Sequence, residues 1–304
     1  VKLICPRCKG ELRLAAPDQL QCEKDALAFR QVDGVWRFLL PERESYYARF
    51  IADYEAVRRF EGRFSADASY YRALPFADLS GRFSADWKIR AASFRMLEKL
   101  LPKPSAVLDL GAGNGWLSNR LALNGHDVCA ADLLVNAEDG LGAWRNYESA
   151  FLPLQAEFSR LPFEDASADV VVFNASLHYA ERYEETLAET LRVMKRDGLL
   201  VVMDSPVYQK ADSGGRMVAE RKADFLARYG FASDSIQSEG FLTHDRMRGL
   251  GQRLGVAWRH HVPAYGLKWA LKPFWARLRG GREPAQFGLW VGRRLKPGGA
   301  APRI

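Results

Sequence analysis

From residue 106 onward, short apolar runs alternate with stretches whose apolar residues return every three or four positions. The runs at 106–110, 127–132, 152–155, 169–173 and 199–204 are strand-sized, while the stretches from 115, near 141–147 and at 183–194 carry a helical period. Two last strands are expected at 256–261 and 286–293. Strands and helices alternating at this spacing imply right-handed crossovers and a largely parallel sheet, with ligands at the carboxyl ends of its strands. Upstream, 41–99 is helical in pattern and dense in aromatics, among them Tyr46, Tyr47, Phe50, Tyr54, Tyr70, Tyr71, Trp87 and Phe94. That density suits a lid over a pocket, or equally helices packed on the main domain. Leu74-Pro75-Phe76 and Leu79-Ser80-Gly81 break it into pieces. Residues 1–40 read as a separate module, 41–100 as the aromatic helical segment and 101–304 as the α/β core, with a basic insertion at about 264–284.

Chemistry enters where the first strand ends. Val-Leu-Asp-Leu-Gly-Ala-Gly-Asn-Gly at 107–115 joins a strand to a glycine turn that opens a helix. Gly111 and Gly113 let the backbone bend tightly and approach a ligand. Asp132 ends the second strand about twenty residues past the glycines, where one carboxylate accepts from both hydroxyls of a ribose. A dinucleotide site keeps a third glycine three residues after its second; here that position is Trp116, which argues against a pyrophosphate ligand. After the third strand, Glu157 offers an acceptor for an exocyclic amine and Phe158 an apolar face for a purine. After the fourth, Asn174-Ala175-Ser176-Leu177-His178-Tyr179 opens toward the same crevice.

The first module has chemistry of its own. Cys5-Pro6-Arg7-Cys8 is a metal knuckle, and Cys22 and Asp25 are spaced as a second one with aspartate in the last position. Three thiolates and a carboxylate can close a tetrahedral zinc shell; the competing reading is a metal-free module held by Leu27, Phe29, Val32, Val35, Trp36 and Phe38. Cys129, inside a strand, reads as an inert core residue.

The wording of 1–40 resembles the small zinc-ribbon proteins that serve as activator subunits of tRNA, rRNA and protein methyltransferases, some of which also carry the aspartate. The stretch 105–208 resembles the class I S-adenosylmethionine-dependent methyltransferases, through the glycine loop, Asp132, Glu157 with Leu-Pro-Phe at 161–163, and Leu-His-Tyr at 177–179. The resemblance implies a Rossmann-like, doubly wound, mostly parallel seven-stranded sheet and S-adenosylmethionine as methyl donor. By the same likeness, Asp109 orients the loop and the methionine amino group, and Gly111 and Gly113 face the methionine part. Asp132 holds the ribose, Glu157 and Phe158 hold the adenine, and Asn114, Leu133 and Asn174 are further cofactor-binding candidates. His178 and Tyr179 are candidates for acceptor orientation or proton removal, and Tyr70, Tyr71, Trp87 and Trp116 for acceptor contact.

Composition bears mainly on the partner. The 304 residues carry a formal charge of +7, yet 241–304 alone holds thirteen Lys and Arg against Asp245 and Glu283, so 1–240 is net acidic. Within that tail, 267–279 interleaves cations with Trp269, Phe274 and Trp275: an RNA contact, an interfacial helix at anionic lipid, or a solvated insertion covering the pocket. No membrane-length apolar run or secretion signal is seen, so a cytoplasmic location is expected. The favoured acceptor is a small aromatic or heteroaromatic molecule methylated on nitrogen or oxygen. The alternatives are an RNA base gripped by the ribbon and basic tail, a lipid or quinone-like molecule, and a non-enzymatic scaffold.

Overall fold

A computed structural model describes residues 1–278 and 280–295, without the side chains of Lys268, Ala270 and Arg277; the expected frayed tail from Pro297 lies outside them. The N-terminal module forms β1 (Arg13–Ala16), β2 (Gln19–Cys22), β3 (Leu27–Val32) and β4 (Val35–Arg37). The aromatic segment forms helices α1 (Pro41–Glu61), α2 (Ala68–Ala73) and α3 (Ser84–Leu100), with the expected breaks falling between the last two. Then follow β5 (Ala106–Leu110), α4 (Trp116–Leu123), β6 (Asp127–Asp132), β7 (Leu152–Gln155), β8 (Ala168–Asn174), α5 (Tyr183–Val193) and β9 (Met194–Met203). The chain continues through β10 (Val207–Tyr208), α6 (Ala211–Tyr229), β11 (Leu242–Thr243), α7 (His244–Leu254) and β12 (Val256–His261). It ends with α8 (Leu267–Ala270), α9 (Lys272–Leu278) and β13 (Leu289–Arg294). The expected helix near 141–147 is a 3-10 turn, Leu141–Asn146, and Leu177–Tyr179 is another.

Strands β7-β6-β5-β8-β9-β13-β12 form the anticipated seven, parallel from β7 to β9, with β13 antiparallel to both of its neighbours, β9 and β12. Period two sends alternate residues to opposite faces. On one face Val107, Val170, Val172 and Val201 pack against Phe94, Leu97, Leu117 and Leu121. On the other, Leu108, Leu110, Val171, Phe173 and Leu200 pack against Leu187, Leu191, Met247 and Leu250.

The sheet corrects the sequence expectation in one respect. It has eleven strands rather than seven, because β4 pairs in parallel with β7 and carries β3, β2 and β1 beyond it. Trp36 and Arg37 register with Leu154 and Gln155, and the Phe38 amide donates to the Gln155 carbonyl at 2.9 Å. An uncovered β7 would leave a row of unpaired backbone groups at the edge. The module also grips the core by side chains: Lys9 Nζ lies 2.7 Å from Glu189 on α5, and the Ile4 amide donates to the Pro162 carbonyl at 3.0 Å. Phe29, Trp36 and Phe38 join the same core cluster as β8 and α5.

Elements α6, β10 and β11 were not legible as periodic runs; α6 opens on polar residues and the pair Gly214-Gly215. Among the described residues, no helix is long and apolar enough to cross a membrane.

Phe38 is 2% exposed at this junction. Phe38→Ala is expected to destabilise the protein by about 3–5 kcal/mol in urea unfolding, the cost of truncating a fully packed aromatic.

Candidate active site

The strand ends converge as the topology requires. Gly111 follows β5 at φ 78°, and a Cβ there would lie 2.2 Å from the Ser176 Cβ, so the turn admits only glycine without rearrangement. Gly113, at φ 55°, sends its amide to Asp132 Oδ2 at 2.8 Å, and the Leu134 amide donates to Oδ1 at 2.8 Å. The loop after β5 and the end of β6 are thus fastened by one carboxylate. Burial raises the Asp132 pKa to about 6, with Asp139 adding to the shift and the two backbone donors opposing it. Asp109, fully buried, accepts from Ser118 Oγ at 2.7 Å through Oδ2, and burial lifts its pKa to about 7.

Glu157 lies just beyond β7 and is 3% exposed. Its Oε2 accepts from Arg43 Nε at 2.8 Å and the Tyr47 hydroxyl at 3.1 Å, both from α1, while Oε1 is buried without a hydrogen-bond partner. A buried acceptor left open beside Phe158 fits a ligand amine. Asn174 Oδ1, at the end of β8, is a second buried acceptor without a partner. Asn114 turns inward, donating to Asp139 Oδ1 at 3.4 Å and accepting from the Trp116 amide at 3.2 Å.

All of these groups except Asp109 and its partner Ser118, which are fully buried and do not reach it, border a cavity of about 390 Å³. Its floor is made of Gly111, Gly113, Asn114, Asp132, Leu133, Glu157, Phe158 and Asn174. Its roof is one face of α1, with Arg43, Tyr47, Phe50, Tyr54 and Arg58 in line, together with Trp87 and Arg90 of α3; Tyr179, Ile236 and Gln237 also contribute to the wall. Spacings of three and four residues bring that α1 stripe to one side of the helix. The aromatics of the stripe are plain in the sequence, but its arginines were not singled out. Their regular interval from Tyr47 and Tyr54 is the signal that could have found them.

The remaining sequence candidates divide. Trp87 and Trp116 line the cavity, their rings edge to face at 5.8 Å, and Tyr179 lines it against Phe50 and Tyr54. Tyr70 and Tyr71 do not line it: both are buried in the cluster beneath α3 and α4, and the Tyr71 hydroxyl donates to the Glu138 carbonyl. They support the roof from behind instead of touching an acceptor. His178 is likewise set back, its ring 4.3 Å from that of Tyr179 and its Nδ1 3.2 Å from Ser205 Oγ. Burial, with Arg221 and Arg90 adding, drives its pKa to about 3, so it stays neutral and is a weak base. The turn Leu177–Tyr179 presents Tyr179 to the cavity and turns His178 away.

Cys5, Cys8, Cys22 and Asp25 gather in the N-terminal module, their ligand atoms within 4.8 Å of one another. None of the four lines the cavity.

Residues 108–202, from β5 to the end of β9, match the family model described as a methyltransferase domain. A malonyl-[acyl-carrier protein] O-methyltransferase of Gallionella capsiferriformans is 28% identical over 251 residues, covering 71% of this chain and 85% of that protein. A demethylmenaquinone methyltransferase of Thermus thermophilus is 29% identical, covering 64% and 93% respectively. The YcgJ protein of Bacillus subtilis has a similar fold, with a TM-score of 0.50 at 14% identity over 68% of this chain and 99% of that one. A chain from a complex containing the Haloferax volcanii Trm112 methyltransferase activator also has a TM-score of 0.50, at 18% identity over 71% and 93%. With the matched segment carrying the very loops that border the cavity, the chain is an S-adenosylmethionine-dependent methyltransferase built on a class I methyltransferase domain.

Proposed function

We propose that this enzyme methylates a nitrogen or oxygen of a small molecule with an aromatic or apolar body. The observation that carries the reading is the roofed cavity, whose acceptor side is walled by Phe50, Tyr54, Trp87 and Trp116. S-adenosylmethionine supplies an electrophilic methyl carbon on a sulfonium. In this reading Asp132 accepts from the ribose hydroxyls, Glu157 Oε1 from the adenine amine, and Phe158 packs on the purine. Gly111 and Gly113 leave room for the methionine part, with Asp109 bracing the loop through Ser118. Displacement at the methyl carbon is in line, so the protein's work is alignment and exclusion of water. Tyr179, held between Phe50 and Tyr54, is placed to orient the acceptor.

The relatives' acceptors, by name, are malonyl-[acyl-carrier protein], demethylmenaquinone and dimethylglycine, which favours a small reacting group over an RNA base. A lipid or quinone-like acceptor is the second reading. It is favoured by α8 and α9, where Leu267, Leu271, Phe274, Trp275 and Leu278 are exposed beside Lys272. If RNA were the acceptor, binding would fall steeply with added salt; turnover of a small molecule is expected to change little.

We also infer that Cys5, Cys8, Cys22 and Asp25 hold zinc. The Cys8 and Cys22 sulfurs are 3.6 Å apart and Asp25 Oδ2 is 3.2 Å from Cys5 Sγ. That is close to the ligand separation around a tetrahedral ion with Zn–S bonds of about 2.3 Å.

Three outcomes are expected. Asp132→Ala weakens S-adenosylmethionine binding, read by calorimetry, by roughly a hundredfold, the loss of two charge-assisted hydrogen bonds; unchanged affinity would remove Asp132 from the site. Because the ionised carboxylate is the better acceptor, affinity is full well above pH 6 and falls as pH drops through the Asp132 pKa of about 6. Asp132→Asn flattens that pH profile. Metal analysis of the purified protein finds one zinc per chain, and Cys22→Ser lowers both the zinc content and the unfolding temperature; a zinc-free wild type with the same unfolding temperature would refute the assignment.

A further inference from the structure

Among the described residues five arginines line the cavity, and four are already answered by acids. Arg43 pairs with Glu157 and Glu181, Arg58 with Asp139 and Glu61, Arg63 with Glu61 and Asp86, and Arg182 with Glu185. Arg90, on α3, is the exception. Among the described residues no hydrogen-bond acceptor engages it, and no carboxylate lies within ion-pairing distance. Asp204 acts on it only from beyond contact, with one oxygen taken by Ser93 Oγ at 2.6 Å. Burial holds the Arg90 pKa below the ordinary guanidinium value; Asp204 opposes that shift, and Arg58 and Arg63 add to it. A cation drawn out of water without an anion is costly unless a ligand supplies one.

Its neighbours narrow the ligand further. The Arg90 guanidinium centre stands 5.1 Å from the centroid of the Trp87 ring, and Trp116 meets Trp87 edge to face, so the open charge borders an apolar wall. The Trp87 indole N–H is itself buried without a partner. With Arg58 and Arg63 each in contact with acids, Arg90 is the guanidinium left without a contacting carboxylate. A carboxylate matches it in charge and fits the guanidinium fork with two parallel bonds, whereas a phosphate dianion brings a second, unanswered charge.

We propose that Arg90 binds the carboxylate of the methyl acceptor, a small organic acid whose apolar body lies against Trp87 and Trp116. The inference rests on the cavity being the methyl-transfer site and names the acceptor class for it. Arg90 fixes the acceptor's position, and Asp204, held by Ser93, favours the guanidinium charge from beyond contact.

The test is calorimetry on protein saturated with S-adenosylhomocysteine, titrated with phenylacetate, phenylacetamide and phenyl phosphate. Phenylacetate is expected to bind at least about tenfold more tightly than the other two, the difference that a bidentate charged contact makes. Arg90→Gln loses at least about tenfold for phenylacetate while keeping its affinity for S-adenosylhomocysteine, and Arg90→Lys recovers part of the loss. Failure of phenylacetate to bind, equal binding of the amide, tighter binding of the phosphate, or an Arg90→Gln protein that takes phenylacetate as the wild type does would overturn the proposal. The amide comparison is made on the wild type and does not depend on how the variants fold. Absence of S-adenosylhomocysteine binding by the wild type would instead sink the assignment of the cavity itself.

Discussion

The buried carboxylate of Glu157 is the point on which the architecture of the site turns. A carboxylate enclosed by protein needs a cation, and Arg43 brings one from a helix more than a hundred residues earlier in the chain. Because Arg43 also reaches Glu181, and Tyr47 shares both acids, one network joins the loop after β7, the turn after β8 and the first turns of α1. That network holds the roof over the floor. Together with the pairs that Glu42 makes to Arg160, Arg58 to Asp139 and Arg59 to Glu138, it ties α1 across the ends of the strands.

The N-terminal module reinforces the same region from outside. Its Lys9 meets Glu189, which also accepts from the Leu161 amide at 2.9 Å and is bracketed by Arg192. The Pro162 carbonyl takes the Ile4 amide. The segment immediately following Glu157 and Phe158 is therefore clamped between α5 and the module, so a module that does not line the cavity bears on how its floor is held. Strand β4 does the same for β7 through the backbone.

Much of this was readable from the chain and some was not, for identifiable reasons. The parallel strands announce themselves as aliphatic runs because both faces are buried, and the glycine turn because only residues without a side chain fit against Ser176. Strand addition by β4 left no such mark: Val35-Trp36-Arg37 is three residues long, and its pairing with β7 is a contact across more than a hundred residues that no local period encodes. His178 and Tyr179 were indistinguishable in sequence, since their rings lie together, 4.3 Å apart, and which of them reaches the cavity is set by how the turn docks. Tyr70 and Tyr71 belong to the same aromatic-rich segment as the residues that do line the cavity. Only the packing of α2 against the 3-10 turn Leu141–Asn146, within the buried cluster shared with α3 and α4, separates supporting aromatics from contacting ones. The arginines of α1 and α3 looked like ordinary solvated charge until the structure showed acids from distant loops meeting all but one of those at the cavity.

The junction of β4 with β7 has a consequence in mass action. An edge strand completed by a separate subunit is covered only in proportion to that subunit's concentration, and dilution uncovers it. Here the completing strands are carried on the same polypeptide, tethered a few residues ahead of α1, so the local concentration is fixed by chain geometry and independent of expression level or dilution. The edge is occupied one to one in every folded molecule, and a free strand-donating partner would have to displace a strand that never diffuses away.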